Sequence, residues 1–139
     1  MKVLLVSLRD ELITLTNIHF SSPNLVVLKL KELYVPTEIL SVNLPSLETL
    51  HLKMVYFESF MDSKKFLFQF PVLEELHTKY IHLRKVREEG FEASFYNLVR
   101  TTICPFDIPF KAIYNVEFLR ILKVRMWHHA CFLLVVVAQ

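Results

Sequence analysis

Histidine and cysteine are the side chains of this sequence that are best suited to metal binding or nucleophilic chemistry. His51 and His77 lie 26 residues apart, and residues 128–131 (His-His-Ala-Cys) form a compact set of potential ligands. A zinc site needs three or four protein ligands, and neither group has a further ligand at a matching position. Cys104 could act as a nucleophile only beside a general base, and no histidine occupies an equivalent neighbouring position. We therefore predict solvent-facing histidines, and no catalytic, metal-binding or cofactor-binding residue.

Basic side chains recur with a spacing that could build a binding surface. One row has successive members 21–26 residues apart and is basic except at Cys104; its basic members are Arg9, Lys31, Lys53, Lys79 and Arg125. A second row begins two residues earlier each time and contains Lys29, His51, His77 and Lys123. The formal net charge of the whole chain is only +2, which does not indicate a nucleic-acid partner. Any electrostatic recognition must therefore come from the local placement of these rows.

Composition narrows the function further. The chain has 139 residues, the size of one ordinary domain, and 53% of them are hydrophobic, which favours a packed core. The single glycine, Gly90, excludes the glycine-rich loops that bind phosphates or dinucleotides. The apolar run at residues 3–8 is shorter than the core of a signal peptide, and the run at 130–138 is about half of a membrane span. We predict no membrane partner, and a location in the cytoplasm, the nucleus or both.

The elements that position the basic rows follow from the apolar residues. An anchor residue is followed by further apolar residues three and five positions later, with threonine in two of these places. This frame occurs six times, with anchors at Val3, Leu25, Leu47, Leu73, Leu98 and Leu119. An LxxLxL pattern that recurs every 20–29 residues is typical of a leucine-rich repeat. Residues 1–127 are therefore predicted to form one domain of about six leucine-rich repeats.

The predicted fold is an α/β solenoid of the leucine-rich-repeat type. Each repeat contributes one short strand, and strands that all run in one direction form a parallel sheet. The solenoid is expected to be right-handed, with the sheet on its concave face and helices or irregular crossovers on its convex face. One such crossover is a helix that Asp62 is predicted to cap, ending before Pro71. The apolar tail at 128–139 either caps the last repeat or marks a truncation.

Alternation along each strand decides which side chains the sheet displays. If the anchor and its third and fifth followers face inward, the second, fourth and sixth followers line the concave face. The sixth followers form the row that includes Cys104, and the fourth followers form the row that includes His51. We expect this face to bind an acidic or phosphorylated protein surface. The alternative is that lysine is a soluble residue copied through repeats of shared ancestry.

Four segments carry a resemblance to a known family. They are SPNLVVLKL at 22–30, LPSLETLHL at 44–52, FPVLEEL at 70–76 and NVEFLR at 115–120. Residues 3–125 resemble the leucine-rich-repeat region of the plant F-box/LRR family, whose members often end in an FBD domain. In that family an N-terminal F-box docks on a cullin-RING ubiquitin ligase, and the repeats recruit the protein substrate.

The resemblance implies a non-enzymatic module that binds a protein substrate for ubiquitination. The sequence departs from the family plan because no F-box precedes the repeats, and residues after 125 leave no room for a complete FBD domain. A ligase adaptor is therefore expected as a partner only if a longer form supplies an F-box. The alternative is a truncated or regulatory leucine-rich-repeat fragment that does not recruit a ligase.

Overall fold

A computed structural model describes most of the chain. The described residues are 2–7, 13–14, 21–37, 42–85, 95, 97–104, 107–108, 110–113, 115–124 and 131–136. Within them the elements are β1 (Lys2–Ser7), β2 (Ile13–Thr14), β3 (Leu25–Val35), β4 (Thr49–Ser59), α1 (Phe60–Leu67), β5 (Glu75–Lys85), β6 (Arg100–Ile103), α2 (Phe110–Ile113), β7 (Phe118–Val124) and β8 (Cys131–Val136).

The strands form one sheet in the order β1-β3-β4-β5-β6-β7-β8, and β2 pairs with β3 beside β1. Every pairing from β1 to β7 is parallel, whereas β7 and β8 run antiparallel. Parallel neighbours require a crossover between them, and α1 and α2 lie within two of these crossovers. The prediction of an α/β fold built on a parallel sheet is confirmed.

Leucines of the predicted pattern form the core behind the three long strands. Leu28, Leu50 and Leu76 lie side by side in register, and each is at most 1% exposed. Two residues later, Leu30, Leu52 and Thr78 form a second buried layer. Burial of one leucine side chain contributes roughly 1.5–3 kcal/mol. Because the leucines of one strand cover those of the next, this stabilisation is shared between strands.

Each long strand bends at one residue with a left-handed backbone. Glu32, Met54 and Tyr80 have φ angles of 55°, 53° and 62°, and they lie at the same place in β3, β4 and β5. After this bend the side-chain alternation restarts, so that Leu33 and Val55 again point into the core. Beyond the predicted lysine row, β3 extends four residues further and β4 and β5 extend six residues further. Each strand therefore displays side chains on two faces separated by a corner.

Short turns hold the strands at their starts. The amides of Leu47, Leu73 and Val116 donate hydrogen bonds to the carbonyl oxygens three residues earlier, at 3.2–3.4 Å. A side chain in the turn also bonds the preceding turn: the Ser46 hydroxyl donates to the Pro23 carbonyl at 2.6 Å. Such hydrogen bonds provide partners for backbone groups that strand pairing leaves unpaired. The spacing between strands is thus fixed before the strands begin.

Helix α1 begins differently from the prediction. Its N-cap is Ser59, whose hydroxyl accepts from the Asp62 amide at 3.2 Å, so Asp62 lies inside the first turn. Asp62 is buried and accepts a hydrogen bond from the Thr37 hydroxyl at 2.6 Å. The predicted cap at Asp62 is therefore wrong. Serine at this position caps as well as aspartate, and the aspartate ties the helix to the preceding crossover.

The first and last parallel strands are shifted from their predicted frames. In β1, Leu4 and Val6 pair with Leu28 and Leu30, so the predicted anchor at Val3 is two residues too late. In β7, Leu119 and Ile121 pair with Thr101 and Ile103. The buried residue that precedes them is Val116, whereas Leu119 is the predicted anchor. Apolar residues are dense in both segments, and the LxxLxL spacing fits them in more than one frame.

Strand β8 lies along the outer edge of β7. Its residues pair antiparallel from Val136 opposite Leu119 to Cys131 opposite Val124. An uncovered strand edge offers unpaired backbone groups to other chains. Part of the predicted tail, 128–139, thus supplies backbone partners to β7.

Candidate functional site

The first halves of the three long strands display a basic surface, which we call the lysine–histidine face. Strand pairing places its six members in two rows: Lys29, His51 and His77 in one, and Lys31, Lys53 and Lys79 in the other. Neighbouring strands lie about 4.8 Å apart. The structure therefore aligns these six predicted residues on one face, as the sequence pattern requires.

The three lysines of the second row carry charges that the described residues do not neutralise. Lys31, Lys53 and Lys79 are half-buried. Within the described part of the chain the close contacts between basic and acidic side chains join His77 to Glu75 and Arg84 to Glu58, and neither contact includes these lysines. Two unit charges at this spacing repel by about 1 kcal/mol in water. An anionic ligand on the row would relieve this repulsion.

The two histidines stack on each other beside the lysines. The ring centroids of His51 and His77 lie 4.2 Å apart, and the ring planes differ by 12°. Burial lowers the pKa of His51 to about 4, with the neighbouring His77 and Lys29 adding to the effect. Burial also lowers the pKa of His77, although Glu75 opposes the shift. Both rings are thus neutral at pH 7 and contribute a flat, polar surface.

A pocket that the sequence analysis did not predict lies where β5, β6 and β7 meet. Its volume is about 210 Å³, and its polar and aromatic lining includes Glu75, His77, Arg100, Thr102, Phe118 and Arg120. We call it the arginine pocket. The Arg100 guanidinium carbon lies 5.3 Å from the centre of the Phe118 ring, a cation–π arrangement. The pocket continues the row of Lys29, His51 and His77 because Thr102 and Arg120 follow in register.

Three predicted members of the basic rows are not placed on the lysine–histidine face. Lys123 was predicted to follow Thr102 in its row, but it pairs with Phe132 of β8, and Arg120 takes the position beside Thr102. This correction follows from the frame shift in β7. Arg9 and Arg125 lie outside the described residues.

The structure also corrects the position of Cys104. The sequence pattern places it in the lysine row, but its side chain is only 2% exposed. Strand β6 ends at Ile103, and the Cys104 carbonyl accepts a hydrogen bond from the Asp107 amide at 3.2 Å, which closes a turn. Pro105 follows in the sequence and has no backbone N–H for a ladder. The alternation of the strand therefore stops before Cys104.

Comparison with protein-family models, with curated proteins and with solved structures gave no match. Among the described residues there is no group of three or more His, Cys, Asp or Glu side chains that could hold a metal ion. The helices in that part of the chain are too short to cross a membrane. Any inference about function must therefore come from the geometry of the side chains that the sheet displays.

A signal for the arginine pocket is present in the sequence. The tripeptide Tyr96-Asn97-Leu98 is matched by Tyr114-Asn115-Val116, and an apolar residue precedes each at Phe95 and Ile113. Aligning these two segments places Arg120 next to Thr102, as the structure does. The leucine spacing alone could not distinguish this alignment, but the tyrosine–asparagine pair could have.

The second halves of the long strands display another set of polar aromatics. Tyr34, Tyr56 and His82 lie in register, and the rings of Tyr56 and His82 stack at 4.6 Å. The Tyr34 hydroxyl donates to Glu58 at 2.7 Å, and Arg84 lies 3.7 Å from the same carboxylate. These side chains bond to one another across the strands, in contrast to the lysine row, and this second face is the more self-contained of the two.

Proposed function

We propose that this chain is a leucine-rich-repeat solenoid that binds another protein through the lysine–histidine face. Support comes from parallel strands in register, from leucines that recur at equivalent buried positions and from left-handed corners that recur with them. Stacked units of this kind present a broad regular surface. Such surfaces suit the binding of an extended partner better than chemistry on a small molecule.

The partner is an acidic or phosphorylated protein surface. The observation that carries this proposal is the row of Lys31, Lys53 and Lys79, three aligned ammonium groups without a carboxylate partner among the described residues. Complementary charge speeds the encounter and selects the partner more than it adds affinity. The neutral His51–His77 stack beside the row offers a flat contact for the partner's backbone or side chains.

Charge reversal tests this surface. The variant Lys31→Glu/Lys53→Glu/Lys79→Glu should lose partner capture, because it replaces three attractive charges with repulsive ones. A matched control reverses three lysines in the helices: Lys64, Lys65 and Lys111. Wild type, face variant and control are immobilised, and the captured proteins are identified by mass spectrometry after circular dichroism has shown equal folding. A partner with an acidic segment should bind wild type and control alone. Undiminished capture by the face variant contradicts the proposal.

The cellular context proposed for this binding is substrate recognition in a cullin-RING ubiquitin ligase, as the family resemblance suggests. A chain fused behind an F-box domain should direct ubiquitination of the captured partner in a reconstituted reaction. The second candidate is a regulatory fragment that binds the same partner without delivering it. In that case the chain added without an F-box inhibits the reaction of the fusion, and the Lys31→Glu/Lys53→Glu/Lys79→Glu variant does not.

A further inference from the structure

We propose that the arginine pocket is a phosphoryl-binding subsite that receives a phosphorylated serine or threonine side chain of the protein partner. This inference deepens the proposed function and rests on it, because the pocket adjoins the lysine–histidine face. It assigns the phosphate to one place. The lysine row alone would accept any acidic segment, whereas the pocket selects a phosphorylated one.

Three residues with hydrogen-bond donors in their side chains line the pocket from two strands. Thr102 of β6 and Arg120 of β7 are register partners, and Arg100 lies two residues before Thr102 on the same side of β6. Two arginine residues and one threonine therefore line a single hollow. Phosphoryl oxygens are recognised in proteins by arginine forks together with neutral donors.

The Arg100 side chain is already held in place. Its guanidinium lies over the Phe118 ring at 5.3 Å, and Phe118 is an exposed aromatic at 46%. The Arg100 cation thus lies over a large apolar ring that remains partly in contact with solvent. An arginine that is ordered before binding loses less side-chain entropy on binding, which favours a specific ligand over a diffuse counter-ion.

The hollow has a size that suits a phosphoryl group. Its volume of about 210 Å³ is well above the ~10–15 Å³ that a cavity needs to hold one water. The group must enter from the exposed face of the sheet, because the side chains behind Thr102, those of Thr101 and Ile103, are buried. A phosphorylated side chain on an extended segment meets this requirement, since its backbone then lies over the neighbouring strands.

One wall of the pocket is acidic, and it provides a test that loss of folding cannot imitate. The Glu75 carboxylate lies 3.8 Å from His77 Nε2 and accepts from the Thr49 hydroxyl at 3.5 Å, so it sits on the β4 side of the hollow. A carboxylate near a bound phosphate repels it. Replacing this carboxylate with an amide of the same shape should therefore strengthen phosphate binding.

The experiment uses labelled peptide libraries with a fixed central residue in degenerate flanks. The fixed residue is phosphoserine in one library, serine in the second and glutamate in the third, and binding to the full chain is followed by fluorescence anisotropy. We expect the phosphoserine library to bind at least about tenfold more tightly than the serine library, since hydrogen bonds to charged groups contribute that much. Arg120→Gln should remove most of this preference, and Glu75→Gln should increase it about threefold.

The control is Arg84→Gln, which removes an exposed arginine of β5 outside the pocket and should leave the preference unchanged. Equal binding of the phosphoserine and serine libraries would overturn the inference, as would an equal loss from Arg84→Gln and Arg120→Gln. Binding of inorganic phosphate without any peptide preference would also overturn it, because the ligand would then be a free anion. If partner capture still depends on the three lysines in these cases, the proposed function stands and only the phosphoryl subsite fails.

Discussion

The centre of the sheet and its C-terminal part differ in the length and regularity of their strands. Strands β3, β4 and β5 each have 11 residues, pair in register along their length and share a left-handed corner. Strand β6 has four residues and ends before any such corner. The long strands display the lysine–histidine face, and the arginine pocket lies where the first residues of β5 meet the short strand β6 and strand β7.

A side chain replaces the missing half of β6. Beyond Ile103, the second half of β5 has no neighbouring strand on that side in the described residues. The Asp107 carboxylate accepts from the Ile81 amide at 3.0 Å and from the buried Thr78 hydroxyl at 2.8 Å. A buried backbone N–H without a partner is costly. Asp107 thereby covers the strand edge that β6 leaves open.

This substitution of a side chain for a strand has a cost of its own. Burial raises the pKa of Asp107 from 3.8 to about 6, although its hydrogen bonds from Ile81 and Thr78 favour the charged form. A backbone carbonyl at the same place would carry no charge to desolvate. Asp107 therefore makes the stability of this edge of β5 depend on pH.

The largest expected effect distinguishes the two regions by their packing. Leu50→Ala empties a fully buried site between Leu28 and Leu76, and such truncations cost about 2–5 kcal/mol. Leu119→Ala affects a half-buried residue of β7 and should cost less than half as much. Urea unfolding measures both changes, with Val72→Ala, an exposed turn position, as the control. Equal losses for Leu50 and Leu119 would mean that the two regions are packed alike.

The next effect concerns the side chain that replaces the strand. Asp107→Ala leaves the Ile81 amide and the Thr78 hydroxyl without their acceptor, which should cost about 1–3 kcal/mol at neutral pH. Asp107→Asn keeps an amide oxygen for Ile81 and should cost less. Urea unfolding at pH 7 gives both values. A loss from Asp107→Asn as large as that from Asp107→Ala would show that the carboxylate contributes more than an acceptor.

Asp107 should also make the free energy of unfolding depend on pH, in a direction that follows from its raised pKa. A carboxyl group whose folded pKa is raised binds its proton more tightly in the folded chain, so its contribution to stability falls as pH rises from 3.8 to about 6. The stability of wild type minus that of Asp107→Asn should therefore decrease across this window, by on the order of 3 kcal/mol. The lowered pKa values of His51 and His77 act in the opposite direction in both proteins and cancel in the difference. A difference that is flat with pH would contradict the assignment.

The centre of the molecule is the part that the sequence predicts well. The spacing of Leu28, Leu50 and Leu76 fixes both the parallel pairing and the face that each residue adopts, since a slip of one residue would expose every leucine. The placement of Lys31, Lys53 and Lys79 in one row follows from the same periodicity. These positions are predictable because local alternation and burial require the same register.

The ends are less predictable because several frames bury similar apolar surface. Leu119, Leu122 and Val124 fit the leucine spacing, and so do Val116, Leu119 and Ile121. The backbone hydrogen bond from the Glu117 amide to the Val99 carbonyl, at 2.9 Å, belongs to the second frame. The early end of β6 and the role of Asp107 depend on contacts between distant segments, which the apolar pattern does not encode. The arginine pocket was missed because the leucine spacing favoured the first of these two frames for β7, which does not place Arg120 beside Thr102.

The smallest expected effect tests the corner that only the long strands have. A left-handed backbone conformation costs a residue other than glycine about 1–2 kcal/mol. Glu32 has this conformation, with a φ of 55°. Glu32→Gly should relieve this strain and, after the added freedom of the unfolded chain is subtracted, stabilise the fold by up to about 1 kcal/mol. Lys31→Gly, one residue earlier in ordinary strand geometry, should instead destabilise it by about 0.5–1 kcal/mol. Thermal unfolding of the two variants compares them directly: if glycine at both positions lowers stability equally, β3 runs straight through residue 32, and the two displayed faces are one.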